Sequence, residues 1–171
     1  MTEQARIVTM KGNPLTLVGA EVKVGDKAPD FAVLANDLSE VNLSSCRGKV
    51  CILSSVPSLD TAVCDLQTKR FNQEASQLGS DVVVLTISMD LPFAQARWCG
   101  AAGATSVQTL SDHRDASFGK AFGLLIKELR LLARAVYVVD QDGTVQYAEI
   151  VRELTTEPDY GSALSAVKKL L

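Results

Sequence analysis

The chain has 171 residues, 47% hydrophobic, 22% charged and 5% aromatic, a composition that supports a buried core and excludes disordered and fibrous classes. Seventeen Lys and Arg against twenty Asp and Glu leave a net charge of -3 with no basic stripe, which argues against a nucleic-acid partner. No apolar run approaches the roughly 18 residues of a membrane span, and MTEQARIVTMKGNPLTLVG carries neither a basic segment followed by an apolar core nor a small-residue cleavage site, so a cytosolic protein is expected.

Arg6 to Met10 and Leu15 to Val18 flank the turn-formers of Lys11-Gly12-Asn13-Pro14, which predicts an opening β-hairpin, followed by a loop over Val24 to Asp30. The continuous, mostly apolar run Val50 to Val56, stopped by Pro57, reads as a central strand covered on both faces. Thr61 to Leu78 has helical spacing of Val63, Leu66, Phe71, Ala75 and Leu78 and stops at Gly79. Asp81 to Ser88 repeats the buried-strand pattern, and Pro92 suits the first turn of a helix reaching about Ala102. Ala135 to Asp140 and Val145 to Val151 flank an Asp-Gly turn and read as a hairpin, so the sheet must be mixed. Thr156-Glu157-Pro158-Asp159 resembles a capping box before a last helix with Tyr160, Ala163, Leu164, Val167, Leu170 and Leu171 on one face. No repeat or linker divides the chain, so one α/β domain over residues 1–171 is expected.

Nucleotide-binding glycine signatures are missing, and so is the G-x-S-x-G of a serine hydrolase. His113, the one histidine, sits in polar Ser111-Asp112-His113-Arg114, a loop or helix start, and reads as solvated. Cysteine is the remaining nucleophile. In a reducing compartment Cys46, Cys51, Cys64 and Cys99 are thiols, and without a C-x-x-C pair they make neither a zinc knuckle nor a thioredoxin-like reductase motif. Cys51 falls inside the central strand as a small apolar residue and Cys46 in a loop before Arg47-Gly48-Lys49, and both read as non-catalytic, although the neighbouring Arg and Lys of Cys46 can lower its pKa. Cys64 lies one turn into its helix, where unpaired N–H groups and the helix dipole favour a thiolate, although Asp60 and Asp65 oppose it. A cation from elsewhere in the chain must offset those two carboxylates.

The run Pro57-Ser58-Leu59-Asp60-Thr61-Ala62-Val63-Cys64 resembles the P-x-x-x-T-x-x-C signature of peroxiredoxins, in the PS-x-DT-x-VC form of the bacterial thiol peroxidase family. KGNPLTL, DLPFAQARWCG, LLARAVYVVD and TTEPDY resemble that family's segments in the same order, so the likeness covers nearly the whole chain. It implies a thioredoxin-like fold, a central mixed β-sheet flanked by helices, with an extra N-terminal β-hairpin. It also implies a hydroperoxide reductase needing no metal, haem or flavin, recycled by thioredoxin and working as a homodimer. By position, Cys64 matches the peroxidatic cysteine and Thr61 the hydroxyl that bonds its sulfur. Pro57 matches the residue shielding the pocket, Arg134 the guanidinium beside the thiolate, and Cys99 the resolving cysteine that forms a Cys64–Cys99 disulfide. A thiol-based sensor using the same disulfide is the alternative, and Leu91 and Phe93 are apolar candidates for an organic hydroperoxide.

Overall fold

The computed structural model describes residues 3–171, with side chains from residue 6 onward. Its centre is strand β5 (Val50–Ser55), buried at every position and parallel to β6 (Val82–Ser88), which in turn runs parallel to β7 (Gln108–Ser111). On the other side, β10 (Ala135–Val139) is antiparallel to β5 and pairs with β11 (Val145–Ile150). Strands β3 (Ala32–Leu34) and β4 (Glu40–Asn42) extend the far edge, giving a seven-stranded mixed sheet ordered β11-β10-β5-β6-β7-β3-β4.

Alternation along β5 supplies both faces of that sheet. Val50 and Ile52 point toward α1 (Ala62–Leu78), α2 (Pro92–Ala102) and α4 (Tyr160–Lys168), whose Phe71, Trp98, Ala163 and Val167 complete one core cluster. Phe71 is fully buried there, so truncation to Ala is expected to cost about 3–5 kcal/mol. Cys51 and Leu53 point the other way, into a cluster with α3 (Ser117–Phe122) and a small sheet. That sheet joins β1 (Glu3–Met10), β2 (Asn13–Val18), β8 (Leu125–Ile126) and β9 (Leu131–Leu132). Phe31, Phe118, Phe122 and Tyr137 meet between the layers in edge and stacked contacts. Gly19 and Gly123 bring the end of β2 against the end of α3 backbone to backbone: both have positive φ, and a Cβ on either would collide with the opposing chain.

The opening hairpin forms as expected, with Lys11 and Gly12 both at positive φ in a two-residue turn and Pro14 opposite Thr9. Most helices and long strands fall within one or two residues of their sequence-based bounds, although β1 starts three residues before Arg6, α4 ends at Lys168 short of Leu171, and Val56 lies beyond β5. Four local readings are corrected. The buried stripe of α1 is Cys64, Gln67, Thr68 and Phe71, whereas Leu66 is exposed, because two polar side chains occupy inward positions. The cap of α4 is Asp159, whose carboxylate accepts from Ser162 N–H, while the Thr156 hydroxyl donates to the Glu153 carbonyl; Leu171 at the helix end is exposed. Cys46 closes a 3₁₀ turn over Leu43–Cys46 rather than lying in an irregular loop. Ser111 ends β7, and His113 follows in a turn as a partly buried residue, its N–H donating to Ser111 Oγ.

Candidate active site

The site gathers where β5 gives way to α1. Pro57 breaks the strand, the chain turns through Ser58–Asp60, and Thr61 in extended conformation caps α1. The first helical bond runs from Asp65 N–H to the Thr61 carbonyl, which leaves the N–H groups of Ala62, Val63 and Cys64 outside the ladder. Cys64 is therefore placed where the helix end favours negative charge, and its thiol is fully buried against Val56, Leu59 and Trp98. Asp90 pins the loop beneath it, accepting from Ser58 Oγ at 2.7 Å, Leu59 N–H at 2.8 Å and Ser88 Oγ at 2.7 Å.

Beside the helix start lies a pocket of about 420 Å³ lined by Met10, Lys11, Pro57, Thr61, Ala62, Val63, Arg134, Leu154 and Thr155. Three positions singled out in the sequence thus share one wall. Leu91 and Phe93 do not line it; both are exposed at the start of α2, and the apolar lining comes from Met10, Pro57, Ala62, Val63 and Leu154. The Thr61 hydroxyl donates to the Ser58 carbonyl at 2.9 Å instead of to the Cys64 sulfur, and it makes no capping bond to the helix, while the residue lines the pocket.

Arg134 is 2% exposed, not a solvated edge residue. Its Nε and Nη2 donate to the Leu154 carbonyl at 2.9 and 2.6 Å, and its Nη1 donates to Gln67 Oε1 at 3.0 Å. Gln67 passes the network on to Ser54 Oγ at 2.8 Å. Among the described residues the ion pairs involve other side chains, so this buried guanidinium meets neutral oxygens without a carboxylate. A buried cation so placed strongly favours an anion nearby. Asp65, which was expected to oppose a thiolate, is itself engaged by Lys69 Nζ at 2.9 Å and by Trp98 Nε1 at 2.8 Å.

Glu153 fastens the outer wall. Its carboxylate accepts from the N–H groups of Lys11, Gly12 and Thr155 and from the hydroxyls of Thr9 and Thr155, tying the tip of the first hairpin to the Leu154 segment. The Thr155 hydroxyl first, and the Gly12 N–H after it, hold its carboxyl well below the ordinary range. Cys99 stands apart on α2, partly exposed. Its sulfur is 3.3 Å from Thr109 Oγ1, whose own hydrogen goes to Asn36 Oδ1, so the Cys99 thiol is the donor in that pair. All four cysteines are free, and among the described residues no cluster of three or more His, Cys, Asp or Glu converges on a metal position.

Sequence reasoning missed Gln67, Ser54, Leu154, Asp90 and Glu153. The signal for Gln67 was its position three residues after Cys64, on the same helix face; Leu154 acts through a backbone carbonyl and leaves no mark in the side-chain pattern.

The comparisons agree with this geometry. Residues 23–164 match the Redoxin family model. A thiol peroxidase of Bacillus subtilis is 63% identical over 164 residues, spanning 96% of this chain and 98% of that protein, and one from Halalkalibacterium halodurans is 60% identical over the same shares. A crystal structure of a peroxiredoxin-like protein from Aquifex aeolicus matches the whole of both chains with 42% identity and a TM-score of 0.91. A thiol peroxidase from Chromobacterium violaceum, 19% identical and covering 97% of each chain, shares the fold at a TM-score of 0.86. Thioredoxin-like in architecture and near-identical in extent to these relatives, the chain belongs to the bacterial thiol peroxidase family of redoxins.

Proposed function

We propose that Cys64 is the sulfur through which this thiol peroxidase reduces hydroperoxides, with Arg134, Thr61 and Pro57 forming its pocket and Cys99 resolving the oxidised product. One observation carries the reading: a buried guanidinium without a carboxylate partner lines the same pocket as the first turn of the helix that holds Cys64. The Thr61 oxygen can accept a hydrogen bond from the peroxide, and Pro57 shields the pocket floor.

The thiolate attacks one peroxide oxygen, the O–O bond breaks, and the other oxygen leaves as water or an alcohol after taking a proton; Cys64 becomes a sulfenic acid. The Cys99 thiol then attacks that sulfur, releasing water and forming the disulfide, which thioredoxin reduces by thiol exchange. The apolar lining suits organic hydroperoxides as well as hydrogen peroxide. The working unit is one domain over residues 1–171, paired as a homodimer in the cytosol, and no resident metal or organic cofactor enters the reaction.

Steady-state turnover with thioredoxin, its reductase and NADPH tests this and separates an enzyme from a sensor. Cys64→Ser is expected to abolish turnover, whereas Cys99→Ser keeps one rapid peroxide reduction per chain but loses thioredoxin-linked cycling. Substantial activity in Cys64→Ser, or unchanged cycling in Cys99→Ser, contradicts the assignments.

A further inference from the structure

The two remaining cysteines meet at the opposite end of β5. Cys51 is the second residue of that strand, about 13 Å along it from Ser55, where the chain leaves for the Cys64 loop. Cys46 closes the preceding 3₁₀ turn, and the bond from Lys49 N–H to the Cys46 carbonyl at 3.1 Å folds the chain back so that both sulfurs reach one pocket. Both line that one small pocket and pack against the same core cluster, Cys51 buried and Cys46 partly exposed. Arg47 and Lys49 supply positive charge, against Asp30 from the loop before β3 and Asp140 from the turn after β10. The Asp30 carboxylate accepts from the N–H groups of Phe31 and Ser44, and that of Asp140 from those of Asp142 and Thr144, so both are already engaged by backbone donors.

We infer that Cys46 and Cys51 are a second redox-active dithiol, which hydrogen peroxide oxidises to an intramolecular disulfide independently of Cys64 and Cys99. The Cys51 thiol, donating to the Cys46 sulfur, holds the Cys46 thiol down at about 6, with help from Ser45 and Lys49, against an ordinary value of 9.0. The same contact, with burial, pushes the Cys51 thiol well up. Cys46 is therefore the attacking thiolate at neutral pH and Cys51 the protonated partner. Cys46 cleaves the peroxide O–O bond, becomes a sulfenic acid and releases water. Cys51 then attacks that sulfur, the S–S bond forms, and the sulfenic oxygen leaves as a second water. Two electrons pass from the two sulfurs to the peroxide. Both residues already line one pocket, between a 3₁₀ turn and a strand start. The pocket holds about 50 Å³ against about 420 Å³ beside Cys64, which restricts it to the smallest hydroperoxide.

The Cys64→Ser/Cys99→Ser double variant isolates the pair. After hydrogen peroxide, acid quenching and non-reducing peptide mapping, the expected product is a Cys46–Cys51 disulfide, formed at least about ten-fold more slowly with cumene hydroperoxide, as a narrow pocket requires. Adding Cys51→Ser should leave Cys46 as a sulfenic acid trapped by dimedone. Wild-type protein gives a check that needs no variant: excess hydrogen peroxide should consume all four thiols, titrated in denaturant. Recovery of Cys46 and Cys51 as free thiols in both proteins overturns the inference, and equal rates with the two peroxides overturn its size limit. Cys46→Ser should leave thioredoxin-linked turnover unchanged, so failure here is distinguishable from failure at Cys64.

Discussion

Trp98 Nε1 donates to Asp65 Oδ1 at 2.8 Å, joining the residue before Cys99 to the residue after Cys64. The helices α1 and α2 are thus latched through the neighbours of the two cysteines while the sulfurs are engaged elsewhere. Cys64 is packed under the Trp98 ring, and Cys99 is bonded to Thr109. Because Trp98 packs against Cys64, closing a disulfide between the two cysteines is expected to move the indole.

Replacing Trp98 by Phe keeps an apolar ring and removes the N–H. The reduced protein should lose about 1 kcal/mol of stability, a typical value for one hydrogen bond. Closure of the Cys64–Cys99 disulfide should accelerate by up to roughly ten-fold, since that energy no longer opposes opening. Quenched-flow mapping measures this; an unchanged or slower closure shows that the latch does not limit resolution.

Arg134→Gln removes the buried charge and should slow the first reaction with peroxide by roughly ten-fold or more, equivalent to at least about 1.4 kcal/mol. Arg134→Lys should fail to restore the rate, because one ammonium cannot reproduce the fork that spans the Leu154 carbonyl and Gln67 Oε1. Stopped-flow fluorescence of Trp98, the sole tryptophan, reads the step directly. Full rates in Arg134→Gln contradict its role.

Thr61→Val should slow peroxide reduction by roughly 10- to 100-fold with little change in melting temperature, because the hydroxyl makes no bond to the helix it caps. Thr61→Ser should retain most of the rate. A large melting shift with normal kinetics would make Thr61 a structural cap alone.

The first pocket wall should respond to acid. Glu153 titrates well below its ordinary 4.5 in the folded protein, so the stability it lends is complete above that value and is lost as pH falls below it. Amide exchange at Lys11, Gly12 and Thr155 should therefore rise below about pH 4.5, corrected for intrinsic rates. In Glu153→Gln it should already be raised at pH 7, with a higher KM for organic hydroperoxides. Equal protection in both proteins at both pH values contradicts this tether.

The long elements and the motif were readable because each has a local cause: Pro57 stops the β5 run, Gly79 ends α1, Pro92 and left-handed Gly103 bound α2, and continuous apolar runs mark β5 and β6. Strands β3, β4, β7, β8 and β9 were not, since runs of two to four residues carry no usable period and owe their pairing to neighbours distant in sequence. Within the site, Pro57, Thr61 and Arg134 were legible through resemblance to a family pattern. What holds them was not: Gln67 is a polar residue on a core face, and Leu154 and Glu153 act on backbone groups whose partners only the tertiary fold brings close.

The most direct measurement is disulfide mapping of fully reduced wild-type protein after one equivalent of hydroperoxide, with acid quenching and alkylation in denaturant. The expected product is a Cys64–Cys99 disulfide in nearly every chain, with Cys46 and Cys51 alkylated, because Cys64, beside the Arg134-lined pocket, is expected to react first and use up the single equivalent. Recovery of Cys64 as an alkylated thiol, with the oxidation found on any other cysteine, would contradict its role as the peroxide-reducing sulfur.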